Sequence, residues 1–176
     1  MRCHTLICTA LVLAGAASAA SAQTAANPVS SATRQSWDGV RKNVKEAAEL
    51  MPEANYAFKP TPEVRSFGEL VGHVANANYM ICSMALGEKS PATADFEKTV
   101  KAKAELEKAL AGAIAYCDSA LSKLTATSAL EEVKFFTGQT PRLGVFSFNN
   151  AHNMEHYGNM VTYMRMKKLV PPSSQR

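Results

Sequence analysis

No apolar run in this chain reaches the roughly 20 residues that a bilayer-spanning helix requires. The longest, Leu6 to Ala17, lies at the N-terminus, and nothing after it comes near that length. Basic residues form no stripe: 19 Lys and Arg are interspersed with 15 Asp and Glu, which excludes a nucleic-acid footprint of the clustered kind. The mild net charge of +4 reads as a solvated surface. Hairpin signals and internal repeats are also missing. Only four cysteines and four histidines are present, so each one carries weight.

What is there begins with residues 1–22, which read as a secretory signal peptide. Arg2 is a short basic start, Leu6 to Ala17 the apolar stretch, and Ala20-Ser21-Ala22 before Gln23 the small-residue cleavage pattern. A transmembrane anchor is the rival reading, but the run is too short. Cys8 comes too early to be a lipoprotein anchor. The reading implies an exported protein, periplasmic or secreted, with no stable membrane insertion after cleavage. The 154 residues left suffice for one domain with a core of its own. Cys3 and Cys8 leave with the signal. Cys82 and Cys117 remain, an even pair that an oxidising compartment would bridge; two buried thiols are the other reading. Each lies about sixteen residues into its predicted helix, so the two are level if those helices run parallel.

Residues 23–30 form a polar, small-residue lead-in. A first helix is predicted from Ser31 to Met51, with Trp37, Val40, Val44, Ala47, Ala48 and Met51 on one face at helical spacing and Pro52 ending it. Ser66 and Glu69 form a capping box for a second helix ending at Leu86, with Gly87 as its C-cap. Gly68 and Gly72 inside that helix each cost about 1 kcal/mol against Ala, which points to close approach by a neighbouring backbone. A long connection through Pro91 leads to a third helix, Lys101 to Leu124. After an extended piece at Val133–Phe136, Thr140 and Pro141 resemble an N-cap and first turn of a last helix running to Lys168. The sum is an all-α four-helix bundle.

His73, His152 and His156 are the histidines left after cleavage. His152 and His156 sit one turn apart on a single helical face, so they can share one metal ion. His73 from the second helix completes a three-nitrogen set that leaves a coordination position open. The His152/His156 face also carries Asn149, Asn159 and Tyr163, and the His73 face Asn76 and Met80. Polar centres among apolar neighbours are the make-up of a small-molecule pocket. The asparagines are candidates to orient ligand imidazoles, or ordinary interhelical hydrogen bonds. Tyr163 is a candidate donor to substrate, or plain core. His152-Asn153-Met154-Glu155-His156 also matches the H-x-x-E-H of inverted zinc peptidases, a five-residue pattern of low specificity, with Glu155 as its base or else an outer carboxylate.

Two segments carry a resemblance. Ser66-Phe67-Gly68-Glu69-Leu70-Val71-Gly72-His73-Val74-Ala75 and His152-Asn153-Met154-Glu155-His156-Tyr157-Gly158-Asn159-Met160 resemble the metal segments of DinB/YfiT-like proteins. The tail from Tyr163-Met164-Arg165 to Val170-Pro171-Pro172-Ser173-Ser174 is similar to their usual ending, and the likeness spans residues 31–174. It implies a four-helix bundle with a long crossover between helices 2 and 3. It also implies one divalent ion, usually zinc or nickel, on His73, His152 and His156, often in a homodimer. Characterised members include metal-dependent transferases and isomerases of small thiols. This chain departs from mostly cytoplasmic relatives in its export signal, which bears on which thiol it meets.

Three neutral imidazoles leave an ion strongly Lewis-acidic, able to deprotonate a thiol or lower the pKa of water. The leading expectation is a metal-dependent small-thiol transferase acting on a small-molecule substrate. Metal-assisted hydrolysis and a non-catalytic metal-holding or binding module are the alternatives.

Overall fold

The apolar stripes predicted from helical spacing converge on one core. In this computed structural model, which describes residues 28–175, four long helices carry it: α1 (Pro28–Leu50), α2 (Phe67–Leu86), α4 (Lys103–Ser122) and α5 (Arg142–Met166). A four-residue helix, α3 (Phe96–Thr99), lies in the crossover between α2 and α4. The signal-peptide reading and most of the lead-in fall outside the described residues. Helix α1 starts at Pro28, three residues before the expected start, because proline fits the first turn of a helix. Trp37, Val40, Val44, Ala47, Ala48 and Met51 are all buried as their spacing requires.

Side-chain contacts give the helix directions. Trp37 donates to Asp118 at 2.6 Å, and Lys103 reaches the Glu49 and Met51 carbonyls at 2.9 and 2.8 Å, so α1 and α4 are antiparallel. Gly68 lies against Leu106 and Gly112 against Tyr79, so α2 and α4 run parallel. Asn78 pairs with Asn153, and Arg142 donates to the Ala85 carbonyl at 2.6 Å, so α5 is antiparallel to α2. Parallel α2 and α4 cannot be joined by a tight turn, which is why residues 87–102 form a long crossover.

The parallel pair also makes Cys82 and Cys117 level. Their Cα atoms are 5.4 Å apart and the sulfurs are bonded. A bridge closing 35 residues constrains the unfolded chain by about 3–4 kcal/mol in the loop-entropy account. Oxidised and fully reduced protein are therefore expected to differ by roughly 2–4 kcal/mol in unfolding free energy, read from paired urea titrations. A difference near zero would remove the bridge from the stability account.

Two expectations need correction. A hairpin is present: β1 (Glu132–Phe135) pairs antiparallel with β2 (Gly138–Pro141), Phe135 opposite Gly138. Its tip is Phe136-Thr137, with Phe136 at φ 50°, and it lacks the Asn-Gly or Gly pair that announces a two-residue turn. Thr140 and Pro141 belong to β2, and α5 begins at Arg142. There Arg142 ties the hairpin base to the end of α2, donating also to Glu131 at 2.7 Å and to the Ser128 carbonyl at 3.2 Å.

Candidate metal centre

Antiparallel packing of α2 on α5 brings the middles of the two helices together. A reciprocal amide pair fixes the register: Asn78 donates to Asn153 at 3.2 Å and Asn153 to Asn78 at 2.7 Å. Both amides are buried, where an unpaired amide would be costly. The same register sets His73 facing the His152/His156 pair. Candidate ligand atoms of the three rings all lie within 4.8 Å of one another. The Nε2 atoms of His152 and His156 are 3.1 Å apart, and the His73 ring centre is 4.6 Å from that of His156.

The donor chemistry fits a metal ion. Burial, then the nearness of His156 and His73, pushes the His152 imidazole down to about 4. Burial and then His73 do the same to His156, also about 4. Both rings are thus neutral near pH 7, as ligation requires. Tetrahedral Zn–N bonds of about 2.0–2.1 Å set nitrogens roughly 3.4 Å apart, close to the His152–His156 spacing. His73 gives Nδ1 to the Glu97 carboxylate at 2.9 Å, which leaves Nε2 for an ion in the carboxylate–histidine–metal pattern.

The family model of the DinB superfamily matches residues 36–160 of this sequence. The chain belongs to the DinB superfamily. Among curated proteins none matches it. A DinB-like protein from Bacillus cereus superposes with a TM-score of 0.71 at 18% identity, over 81% of this chain and 95% of that one. A DinB-like protein from Bacillus subtilis gives 0.65 at 22% identity, over 85% and 99%. A conserved protein from Enterococcus faecalis gives 0.65 at 17% identity, over 80% and 97%. These likenesses establish the DinB fold.

Within this DinB-fold site the other expected residues divide. Asn159 reaches the cluster, its amide 3.4 Å from His156 Nδ1. If His156 gives Nε2 to an ion, Nδ1 carries the proton, and the Asn159 amide turns its oxygen towards it. Asn76 turns instead to the crossover, accepting from the Phe96 N–H at 3.0 Å and donating to Asp95 at 2.8 Å. Asn149 is buried beside Cys117, its nitrogen 3.8 Å from the sulfur, away from the histidine contacts. Met80 is 38% exposed and makes none of the cluster's ring contacts. Glu155 is exposed and makes no hydrogen bond or ion pair to His73, His152 or His156. The Tyr163 hydroxyl donates to the Arg65 carbonyl at 2.6 Å, and its ring packs against Phe58 and Phe67.

Sequence reasoning missed Glu97 and Arg65. Glu97 uses one carboxylate oxygen for His73 and the other for Arg65 Nε, each at 2.9 Å. Partial burial opposes ionisation of this carboxyl, but Arg65 and His73 outweigh it and hold it below the usual carboxylate range. Arg65, Glu97 and Asn159 also line a cavity of about 650 Å³ with Leu70, Thr162 and Tyr163. On the other side of the cluster the Phe148 ring stacks near His152 at 6.2 Å and meets Phe135 at 5.1 Å. The cluster therefore has an aromatic wall on one side and, on the other, Glu97 and Asn159, which also line the cavity.

Proposed function

We propose that this DinB-superfamily chain is an exported protein holding one zinc or nickel ion on His73, His152 and His156 and using it to transfer a small thiol to an electrophile. The observation that carries the reading is a three-histidine set whose ligand atoms lie within 4.8 Å of one another and whose partners Glu97 and Asn159 line a cavity of about 650 Å³. No cysteine, serine, lysine or histidine is among the residues lining that cavity. Its Glu97 is already bound to Arg65 and His73, and its Tyr163 to the Arg65 carbonyl, which favours an attacking atom brought by a substrate. Bound there, an ion would supply the Lewis acidity that keeps a thiol deprotonated near neutral pH. The chain's own contribution is to hold the His152 and His156 imidazoles neutral, to fix His73 through Glu97, and to offer Arg65 and Asn159 to the polar part of a ligand.

The alternatives are weaker on specific grounds. The hydrolytic alternative uses metal-bound hydroxide with Glu155 or a water as base; Glu155 is exposed, and the carboxylate that touches the cluster, Glu97, is bound to Arg65 and His73. A closed, non-catalytic site needs a fourth protein ligand, and the group able to hold an ion among the described residues contains three. Export rests on the N-terminal pattern and on the Cys82–Cys117 pair, which suits an oxidising compartment. A homodimer is part of the proposal through family likeness.

The test is conjugation of model thiols to a chromogenic electrophile by metal-free, zinc-loaded and nickel-loaded protein. Loaded protein is expected to be faster by at least roughly a hundredfold, the lower end of what one positioned catalytic group provides. Equal rates in the three preparations would end the transferase reading.

A further inference from the structure

Helix α3 has four residues, far too few to hold a helical conformation by itself. Its position has to come from what it lies on, and that is the His73 face of α2. A Cβ at Gly72 would stand 2.7 Å from the Phe96 carbonyl group and from the Glu97 backbone nitrogen, a separation that backbone atoms do not tolerate. Glycine at 72 is therefore what lets the crossover backbone touch α2. One turn on, Asn76 accepts from the Phe96 N–H at 3.0 Å and donates to the Asp95 carboxylate at 2.8 Å. Asp95 in turn accepts from the Lys98 N–H at 3.3 Å, capping the short helix. Between these two anchors, at 72 and 76, lies His73, and the residue delivered to it is Glu97.

We infer that the crossover is a working part of the metal centre, with Gly72 and Asn76 as positioning residues that seat α3 so that Glu97 orients the His73 ring. This rests on the three-histidine reading given above. The energetic sense is that a second carboxylate oxygen bound by Arg65 leaves Glu97 little freedom once the backbone is seated. Outer partners of this kind change metal affinity by about 10–100-fold when removed.

The experiment measures zinc affinity by competition with a chromophoric chelator for the wild type, Gly72→Ala, Asn76→Ala, Glu97→Gln and the double variant Gly72→Ala/Glu97→Gln. The urea midpoint of each metal-free protein is recorded alongside. Each single variant is expected to bind zinc about 10–100-fold more weakly. The double variant is expected to bind no more weakly than Glu97→Gln alone, because both changes remove one contact. Full additivity, or wild-type affinity in Gly72→Ala and Asn76→Ala, would overturn the inference and leave the three-histidine site standing. If Gly72→Ala does not fold, Asn76→Ala with Glu97→Gln makes the same cycle. Absence of zinc binding by the wild type would overturn the site and this inference together.

Discussion

His152→Ala is expected to bind zinc roughly a hundred- to a thousand-fold more weakly than the wild type. Structural zinc sites yield about 10–16 kcal/mol over four ligands, so one imidazole accounts for about 3–4 kcal/mol, or two to three decades. His152 is a sensitive choice because its Nε2 lies 3.1 Å from that of His156. Its removal leaves His156 and His73, which can hold an ion only loosely. The fold should survive, since neither the Asn78–Asn153 pair nor the Cys82–Cys117 contact involves this ring. Competition titration reads the affinity, and far-ultraviolet circular dichroism checks the helices. Unchanged affinity would move the ion elsewhere.

Metal-free protein is expected to lose stability steadily as the pH falls from about 6.5 to about 4. Burial holds both His152 and His156 down to about 4 from an ordinary 6.5. Across that window the unfolded chain binds protons on these two residues and the folded chain does not, so stability rises with pH and is lost on acidification. At 1.36 kcal/mol per unit the shifts set an upper limit, which residual solvent contact and the interaction of the two rings reduce to roughly 3 kcal/mol. Urea midpoints of chelator-treated protein at pH 7, 5.5 and 4.5 measure it. His152→Ala removes one of the two contributions and should show a shallower pH slope. A flat profile would mean that the rings are solvated rather than buried.

Both results follow from features unequally legible in the amino-acid sequence. The faces of α1, α2 and α4 were readable because their apolar residues repeat at the helical period and are in fact buried. His152 and His156 were readable because i,i+4 spacing is itself a geometric statement. Cys82 and Cys117 were readable through equal depth in two helices. Glu97 was not, because a four-residue helix in a crossover has no periodicity to detect. Gly72 gave the warning: a glycine in mid-helix beside His73 signalled an approaching backbone without saying which. Asn76 and Asn149 share faces with the histidines, yet each face borders more than one neighbour. One therefore bonds to the crossover and the other lies beside the cysteine pair. The hairpin escaped because Phe136-Thr137 carries no turn signature, and Thr140-Pro141 imitates a helix start at the level of two residues.

The most direct measurement is the metal content of the chain from Gln23 onward, by elemental analysis after purification and again after reconstitution with zinc or nickel. One equivalent of ion per chain, removable by chelator and restored on reloading, is the predicted result. A chain that carries no metal and takes none up would contradict the account, leaving His73, His152 and His156 as a buried polar cluster in a helical bundle.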